Sequence, residues 1–200
     1  MAGTGTEPDE SLTRTFATTH GVLTYAQLAD QIAPHLLSLL SDIADGKFLA
    51  RDFDENLIRE FHRRIIGEIL PDIAGKWRGV TVQVGVHVAP PPSEIPLKMR
   101  EYVANLRERF SHADTTDLQV ELLAYAEGEF LTIHPFADFN GRTIRALLTE
   151  LLMRLDLPPV EVAVQRNTPM FKRYQNALAE YDNDRLQPLI DFWVERFSDE

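Results

Sequence analysis

The sequence contains no cysteine among its 200 residues. Disulfide bonds and thiolate metal sites are therefore excluded. No apolar run approaches the roughly 20 residues that a membrane-spanning helix needs. The first ten residues lack a basic region followed by an apolar one, so we expect no signal peptide. These absences predict a cytoplasmic protein without a membrane partner, and they leave open its delivery into another cell.

Positive charge is also scarce. The chain has 20 Lys and Arg residues and 31 Asp and Glu residues, which gives a formal net charge of −11. No basic stripe stands out, and this argues against nucleic acid as a partner. The hydrophobic content of 44% is sufficient for one domain with a sizeable core. Any site for an anion must therefore be local.

Apolar residues recur at helical spacing through most of the chain, from about residue 23 to the end. We expect residues 1–22, which are polar and Thr-rich, to be ordered only in part, and residues 23–200 to form one domain. The spacing predicts helices over about 24–44, 52–69, 93–110, 118–132, 146–155, 168–181 and 184–197. The predicted N-caps include Thr24, Asp52 or Asp54, Thr168 and Asp184. Pro34 should kink or split the first helix, and His62, beside the apolar face of the second, is predicted to be structural.

Residues 80–88 follow a different pattern, in which valine alternates with other residues. Alternation predicts a strand, and Gly85 supplies the turn of a small hairpin. The fold class is therefore mostly α, a single helical domain with one β-hairpin. A hairpin of this size is marginal alone. It is either a structural feature or a flap over about 78–90, whose edge at Val82, Val84 and Val86 binds an extended target segment by β-augmentation.

The most informative stretch is the motif loop 134–145, which reads HPFADFNGRTIR. An apolar helix follows it directly. Asn140-Gly141 supplies the turn, because Gly accepts positive φ and Asn tolerates it. The first-turn N–H groups of such a helix lack acceptors, and the macrodipole leaves partial positive charge there. This end of the helix is therefore suited to phosphate.

Four side chains of the motif loop suit phosphoryl-type transfer. Arg142 and Arg145 are three residues apart, so both can reach one anion from the same helix face. Asp138 is a hard oxygen donor of the kind that Mg²⁺ uses when phosphates and water supply its other ligands. His134 can remove a proton from a hydroxyl near neutral pH. Each of these residues alone would be interpreted as a structural residue or a surface charge. Their combination at fixed spacing predicts a catalytic site.

The motif loop resembles the signature of the Fic/Doc family, H-x-F-x-(D/E)-G-N-G-R-x-x-R, at every specified position but one. The exception is Phe139, which stands where the family has its first glycine. The region from Phe61 through residues 74–78 to residues 90–92 is also similar to the region that leads into the family's target-docking flap. The resemblance implies a helical Fic fold and a protein adenylyltransferase. Such an enzyme moves AMP from ATP, with Mg²⁺, onto a Ser, Thr or Tyr hydroxyl of another protein.

Site roles follow from the resemblance position by position. It implies that His134 is the base that activates the target hydroxyl, that Asp138 is the Mg²⁺ ligand, and that Phe136 is a structural anchor. It implies that the residues around the nucleotide phosphates are Asn140, Gly141, Arg142 and, at the terminal phosphate, Arg145.

Phe139 leaves alternatives open. If the glycine position needs positive φ or a close approach of the backbone to phosphate, a bulky residue there is strained or obstructive. If its backbone angles are ordinary, the ring packs inward or shapes a different nucleotide pocket. Transfer of UMP, GMP or a phosphate, phosphodiester hydrolysis, and a catalytically silent nucleotide-binding adaptor therefore stand as alternatives.

Many Fic/Doc proteins are inhibited by a glutamate in a helix of pattern (S/T)-x-x-x-E-(G/N), which pairs with the last arginine of the motif. No stretch of this sequence fits that pattern. Residues 41–46 fit only if aspartate replaces the glutamate. We therefore expect any inhibitor to be a separate, antitoxin-like chain, as in a toxin–antitoxin pair.

Overall fold

The computed structural model of the protein describes residues 14–85 and 87–198. Within these residues it is mostly helical with two short antiparallel strand pairs, which confirms the predicted fold class. The elements are β1 (Thr15–Thr18), β2 (Gly21–Thr24), α1 (Tyr25–Ala44), α2 (Glu55–Ile66), β3 (Gln83–Val84), β4 (His87–Val88), a 3₁₀ turn (Pro92–Glu94), α3 (Ile95–Ser111), α4 (Thr116–Ile133), α5 (Asn140–Arg154), α6 (Pro169–Tyr181) and α7 (Gln187–Ser198).

The helices α4 and α5 form the centre of the domain. Helix α5 packs against α1, α2 and α4, while α4 also packs against α3 and α7. Both helices are buried on most of their surface, including the apolar run Ala146–Leu148 of α5. The loop between them is therefore held at both ends by the core. No helix in the described ranges is long and apolar enough to cross a bilayer.

Local sequence signals account for most helix starts. Thr24 forms a capping box at the start of α1, while Asp54 and Thr168 cap α2 and α6. These side chains accept hydrogen bonds from first-turn N–H groups, which have no intrahelical acceptor. The predictions for these caps are confirmed. The alternative cap at Asp52 is not the one used.

One helix prediction, the cap at Asp184, is wrong, and of the two outcomes predicted at Pro34 the split does not occur. Helix α1 is not split at Pro34, because its buried face on both sides of the proline holds the helix against the core. One lost hydrogen bond in its backbone does not overcome that packing. Asp184 does not cap the last helix, which begins at Gln187. Asp184 instead has φ of 61° and belongs to the turn after α6, where its N–H donates to the Tyr181 carbonyl.

One of the two hairpins was predicted from the sequence, and the other was not. Strands β3 and β4, with Gly85 at φ 59° between them, form the predicted hairpin; we call residues 78–90 the flap. Strands β1 and β2 form a second, unpredicted one, which we call the N-terminal hairpin. It occupies the end of the segment predicted to be partly ordered, and residues 1–13 of that segment lie outside the described residues. Val86 of the flap also lies outside them.

Candidate functional site

The loop between α4 and α5 is anchored by Phe136 and closed by Asn140. Phe136 is fully buried and stacks on the His62 ring, with ring centroids 3.8 Å apart. The buried Asn140 side chain accepts from the Phe136 N–H at 3.0 Å and donates to the Phe136 carbonyl at 2.9 Å. Because these two bonds hold the side chain against the Phe136 backbone, we expect Asn140 to meet a phosphate mainly through its backbone N–H. That N–H and the N–H of Gly141 stand at the start of α5, where no intrahelical acceptor exists.

Arg142 and Arg145 lie on the first turns of α5. The Arg142 guanidinium lies over the rings of Tyr25 and Phe139, at 5.6 and 5.4 Å from their centroids. Arg145 donates from Nε to the Gly141 carbonyl at 3.1 Å. Burial lowers the pKa of Arg145, and the neighbouring Arg142 charge lowers it further. Neither arginine forms an ion pair with a carboxylate within residues 14–85 and 87–198, so an anion would neutralise both.

These groups border one cleft of about 890 Å³, a volume that accommodates a small-molecule ligand. Its floor is the motif loop with the start of α5, and its far wall is α6 with the segment that precedes it. The flap borders it through Val84, Gly85 and His87. The cleft brings together the predicted site residues His134, Asp138, Asn140, Gly141, Arg142 and Arg145.

His134 is arranged to accept a proton. It ends α4 in the left-handed conformation, at φ 49° and ψ 61°. Its Nδ1 lies 3.2 Å from the Leu131 carbonyl, an acceptor, which assigns the hydrogen to Nδ1 and leaves Nε2 with a lone pair. Burial lowers the pKa of His134 by more than the Leu131 hydrogen bond and the Asp138 charge raise it, and the Arg78 charge lowers it further. The ring is therefore neutral at pH 7, the state that a general base requires.

Asp138 fits the role of a magnesium ligand. Its Oδ1 accepts from the Phe139 N–H at 2.9 Å, while its buried Oδ2 accepts no hydrogen bond in the described structure. Arg14 Nη1 lies 2.8 Å from Oδ2, an ion pair without hydrogen-bond geometry. No group of three or more His, Asp or Glu residues that could hold a metal occurs in the described ranges. Bound Mg²⁺ would therefore take its other ligands from phosphate and water.

The sequence of the chain settles the family. The model of the Fic/DOC family matches residues 52–152, half of the chain. The chain belongs to the Fic/DOC family. A relative named protein adenylyltransferase Fic, from Drosophila persimilis, is 34% identical over 137 residues, 68% of this chain. Those residues are 25% of the relative's length, so the chain spans about a quarter of it.

Solved Fic-domain structures share the fold. The N-terminal Fic domain of Bep8, a VirB-translocated effector protein from Bartonella sp. 1-1C, aligns with a TM-score of 0.75 at 14% identity, over 96% of this chain and 93% of that one. The BepC effector protein from Bartonella tribocorum, with bound AMPPNP, aligns with a TM-score of 0.69 at 15% identity, over 92% of each chain. At these identities the alignments establish the fold alone.

At the position of the Fic glycine, Phe139 combines features of both alternatives left open by the sequence. Its φ is 60°, so the left-handed backbone of a glycine is retained at a cost of roughly 1–2 kcal/mol. Phe139 is nevertheless only 5% exposed. Its ring centroid lies 6.0 Å from that of Phe16 in the N-terminal hairpin. Phe139 therefore packs into the core while it also borders the cleft.

We expect Phe139→Gly to weaken the protein in spite of relieving backbone strain. The loss of a buried ring costs about 3–5 kcal/mol, against about 1–2 kcal/mol gained from the backbone. Arg142 also loses one of the two rings that flank it. Urea unfolding should give a free energy about 1–4 kcal/mol lower, and calorimetry should show weaker binding of an ATP analogue. Unchanged stability with unchanged nucleotide affinity would contradict this account of the ring.

His62 is a structural histidine, as the sequence predicted. Its Nδ1 accepts from the Gly75 N–H at 2.9 Å, so its Nε2 carries the hydrogen and donates to the Asp138 carbonyl at 3.1 Å. Burial lowers the pKa of His62 to about 4. The residue thus ties the motif loop to α2 and stays neutral.

The buried His62 should make the domain sensitive to acid. Between about pH 6.5 and 4 the unfolded chain binds a proton at this position and the folded chain does not. The free energy of unfolding therefore decreases as the pH is lowered. For this group alone the decrease from pH 7.5 to pH 5 is about 2 kcal/mol. Urea titrations at both pH values should show this loss, and His62→Gln should show a smaller one. An equal loss in the variant would assign the effect to other groups.

Three residues of this region were not singled out by the sequence. Tyr25 borders the cleft and contacts Arg142, Glu127 binds Tyr174 of the far wall, and Arg78 bonds to the His134 carbonyl. Their partners lie 47 to 117 residues away along the chain. No local pattern marks such contacts, although Arg78 ends the Lys-Trp-Arg run that leads into the flap.

Proposed function

We propose that the protein transfers AMP from ATP to a hydroxyl side chain of a target protein. The supporting observation is the neutral His134 at one end of a cleft that also holds Arg142 and Arg145 without carboxylate partners in the described residues. Relatives named protein adenylyltransferase and a Fic neighbour with bound AMPPNP support the choice of an adenine nucleotide.

The reaction assigns one task to each group. His134 Nε2 takes the proton of the target hydroxyl as its oxygen attacks the α-phosphorus of ATP. The bond from that phosphorus to the bridging oxygen breaks, and pyrophosphate leaves. The helix N-terminus at Gly141 with Arg142 and Arg145 stabilises the negative charge on the phosphates. Asp138 is the residue that would hold Mg²⁺, which neutralises phosphate charge when it is bound.

The proposed partners are an extended segment of the target and a separate inhibitor chain. The flap edge at Val82, Val84 and Val86 is proposed to bind an extended segment of the target, and the exposed Val84 beside the cleft supports this. We also propose a cytoplasmic location and a separate inhibitor chain. Within the described ranges Arg145 has no glutamate partner, in keeping with inhibition from outside the chain. Full activity after purification from the native host without a partner would argue against such an inhibitor.

Mass spectrometry tests the proposed reaction. The protein and a host lysate are incubated with Mg²⁺ and each nucleoside triphosphate in turn, and target peptides are analysed. We expect an AMP adduct with ATP that is absent with His134→Ala. A UMP or GMP adduct would change the donor, and a bare phosphate adduct would make the protein a phosphotransferase. Nucleotide binding without any adduct would indicate a silent adaptor.

A further inference from the structure

The end of α4 and the residues after it are bonded to one buried residue, Arg78. Arg78 donates to three consecutive carbonyl oxygens: from Nη2 to Ile133 at 3.3 Å, from Nε to His134 at 2.7 Å, and from its backbone N–H to Pro135 at 2.9 Å. These carbonyls belong to a helix C-terminus, where no intrahelical N–H is left to bind them and where a cation is favoured.

The same guanidinium also donates hydrogen bonds to the flap segments before β3 and after β4. Its Nη1 donates to the Val80 carbonyl, before β3, at 2.8 Å, and its Nη2 donates to the Pro90 carbonyl, after β4, at 2.6 Å. Arg78 is only 3% exposed, and it forms no ion pair with a carboxylate in the described part of the chain. A rigid fork with five N–H groups can bind all four of these carbonyls at once, whereas a lysine ammonium has only three donors on one nitrogen.

A second contact joins the flap to α4 one residue earlier. His87 of β4 has its Nε2 2.9 Å from the Thr132 carbonyl. The carbonyl groups of residues 132–135 are therefore all bound by groups on the flap or at its base. The residue in the middle of this run is His134, whose left-handed backbone is costly for any residue other than glycine. Such a conformation persists only where the surroundings over-determine it.

We propose that Arg78 is a positioning residue that holds the His134 imidazole and the flap as one unit. On the proposed function, a target segment bound along the flap then presents its hydroxyl at a fixed place relative to His134 Nε2. Arg78 does not line the cleft. Its loss should therefore leave nucleotide binding intact while the base and the target are no longer aligned.

The electrostatics of the site agree with this geometry. The charged or titratable groups that act on His134 are Arg78 at the base of the flap, His87 on β4 and Asp138 in the motif loop. The Arg78 charge helps to lower the pKa of His134, after burial. Arg78 thus also favours the neutral ring that accepts a proton.

The test compares Arg78→Gln and Arg78→Lys with Arg107→Gln, a control at an exposed position of α3. Four quantities are measured: the hydrogen exchange of the flap amides, the NMR signals of the His134 ring, kcat, and the dissociation constant of an ATP analogue. For Arg78→Gln we expect faster exchange in the flap, a shifted His134 signal, and kcat lower by about 10²-fold. The dissociation constant should stay within about twofold. Arg78→Lys keeps the charge without the fork and should fall between wild type and Arg78→Gln.

Several outcomes would overturn the proposal. One is a folded Arg78→Gln with wild-type exchange in the flap and an unmoved His134 signal. Another is an equal loss of nucleotide affinity and kcat. If neither Arg78 variant folds while Arg107→Gln does, Arg78 is a folding residue and the proposal also fails. Absence of transfer activity in the wild type would refute the proposed function alone, because the exchange and NMR measurements would still decide the role of Arg78.

Discussion

His134→Ala should lower the rate of transfer by about 10²–10⁴-fold and leave nucleotide affinity nearly unchanged. The variant removes the only ring nitrogen placed by the described structure to take the hydroxyl proton, whereas Arg142, Arg145 and the helix N-terminus remain to bind phosphate. The backbone of residue 134 keeps its bonds to Phe130 and Arg78. Radiolabelled AMP incorporation and calorimetry with an ATP analogue would measure the two effects separately.

A matched control is available in His112, an exposed histidine that follows α3 and pairs with Glu108 at the surface. His112→Ala should transfer AMP at the wild-type rate. If His134→Ala retained more than about a tenth of the activity, the proton would go elsewhere and the assignment of the base would be wrong. If nucleotide affinity fell with the rate, His134 would contribute to binding rather than to proton transfer.

Glu127→Ala should cost about 3–5 kcal/mol of stability, the largest loss that we expect from one substitution. The Glu127 carboxylate is 2% exposed and accepts from Tyr174 at 2.6 Å, from Trp193 at 2.8 Å and from Arg196 at 2.9 Å. Its removal leaves a buried guanidinium without its counter-charge. It also frees Tyr174, which borders the cleft, so nucleotide affinity should fall as well.

Urea unfolding monitored by tryptophan fluorescence would measure this loss, since Trp193 itself loses a partner. Glu121→Ala is the matched control, because Glu121 lies on the same helix but forms a partly exposed pair with Arg109. That substitution should cost at most about 1 kcal/mol. Similar losses in the two variants would show that the buried network does not stabilise the domain beyond a surface ion pair.

The parts that the sequence predicted correctly depend on neighbours in the chain. The caps at Thr24, Asp54 and Thr168 act within three residues, and the flap turn has Gly85 at positive φ. The motif loop likewise carries its base, its carboxylate and its arginines within twelve residues. A single loop entering a single helix therefore sufficed to predict that they lie together.

Distant contacts account for what could not be predicted. The N-terminal hairpin arises from a polar, Thr-rich segment, and its Thr19 bonds to the Glu68 and Ile69 carbonyls 49 and 50 residues away. Pro34 failed to divide α1 because burial against the core outweighs one backbone hydrogen bond. The orientation of the Phe139 ring was likewise undecided until Phe16 could be placed beside it.

The sequence by itself determined the helical class, the family and the chemistry of the motif, because these depend on periodicity and on residues at fixed short spacing. Only the tertiary structure decided that His134 is neutral, that the Asn140 side chain closes the loop, and that Arg78 joins the flap to the end of α4. Burial and hydrogen bonding between distant segments set these properties. No spacing along the chain encodes them.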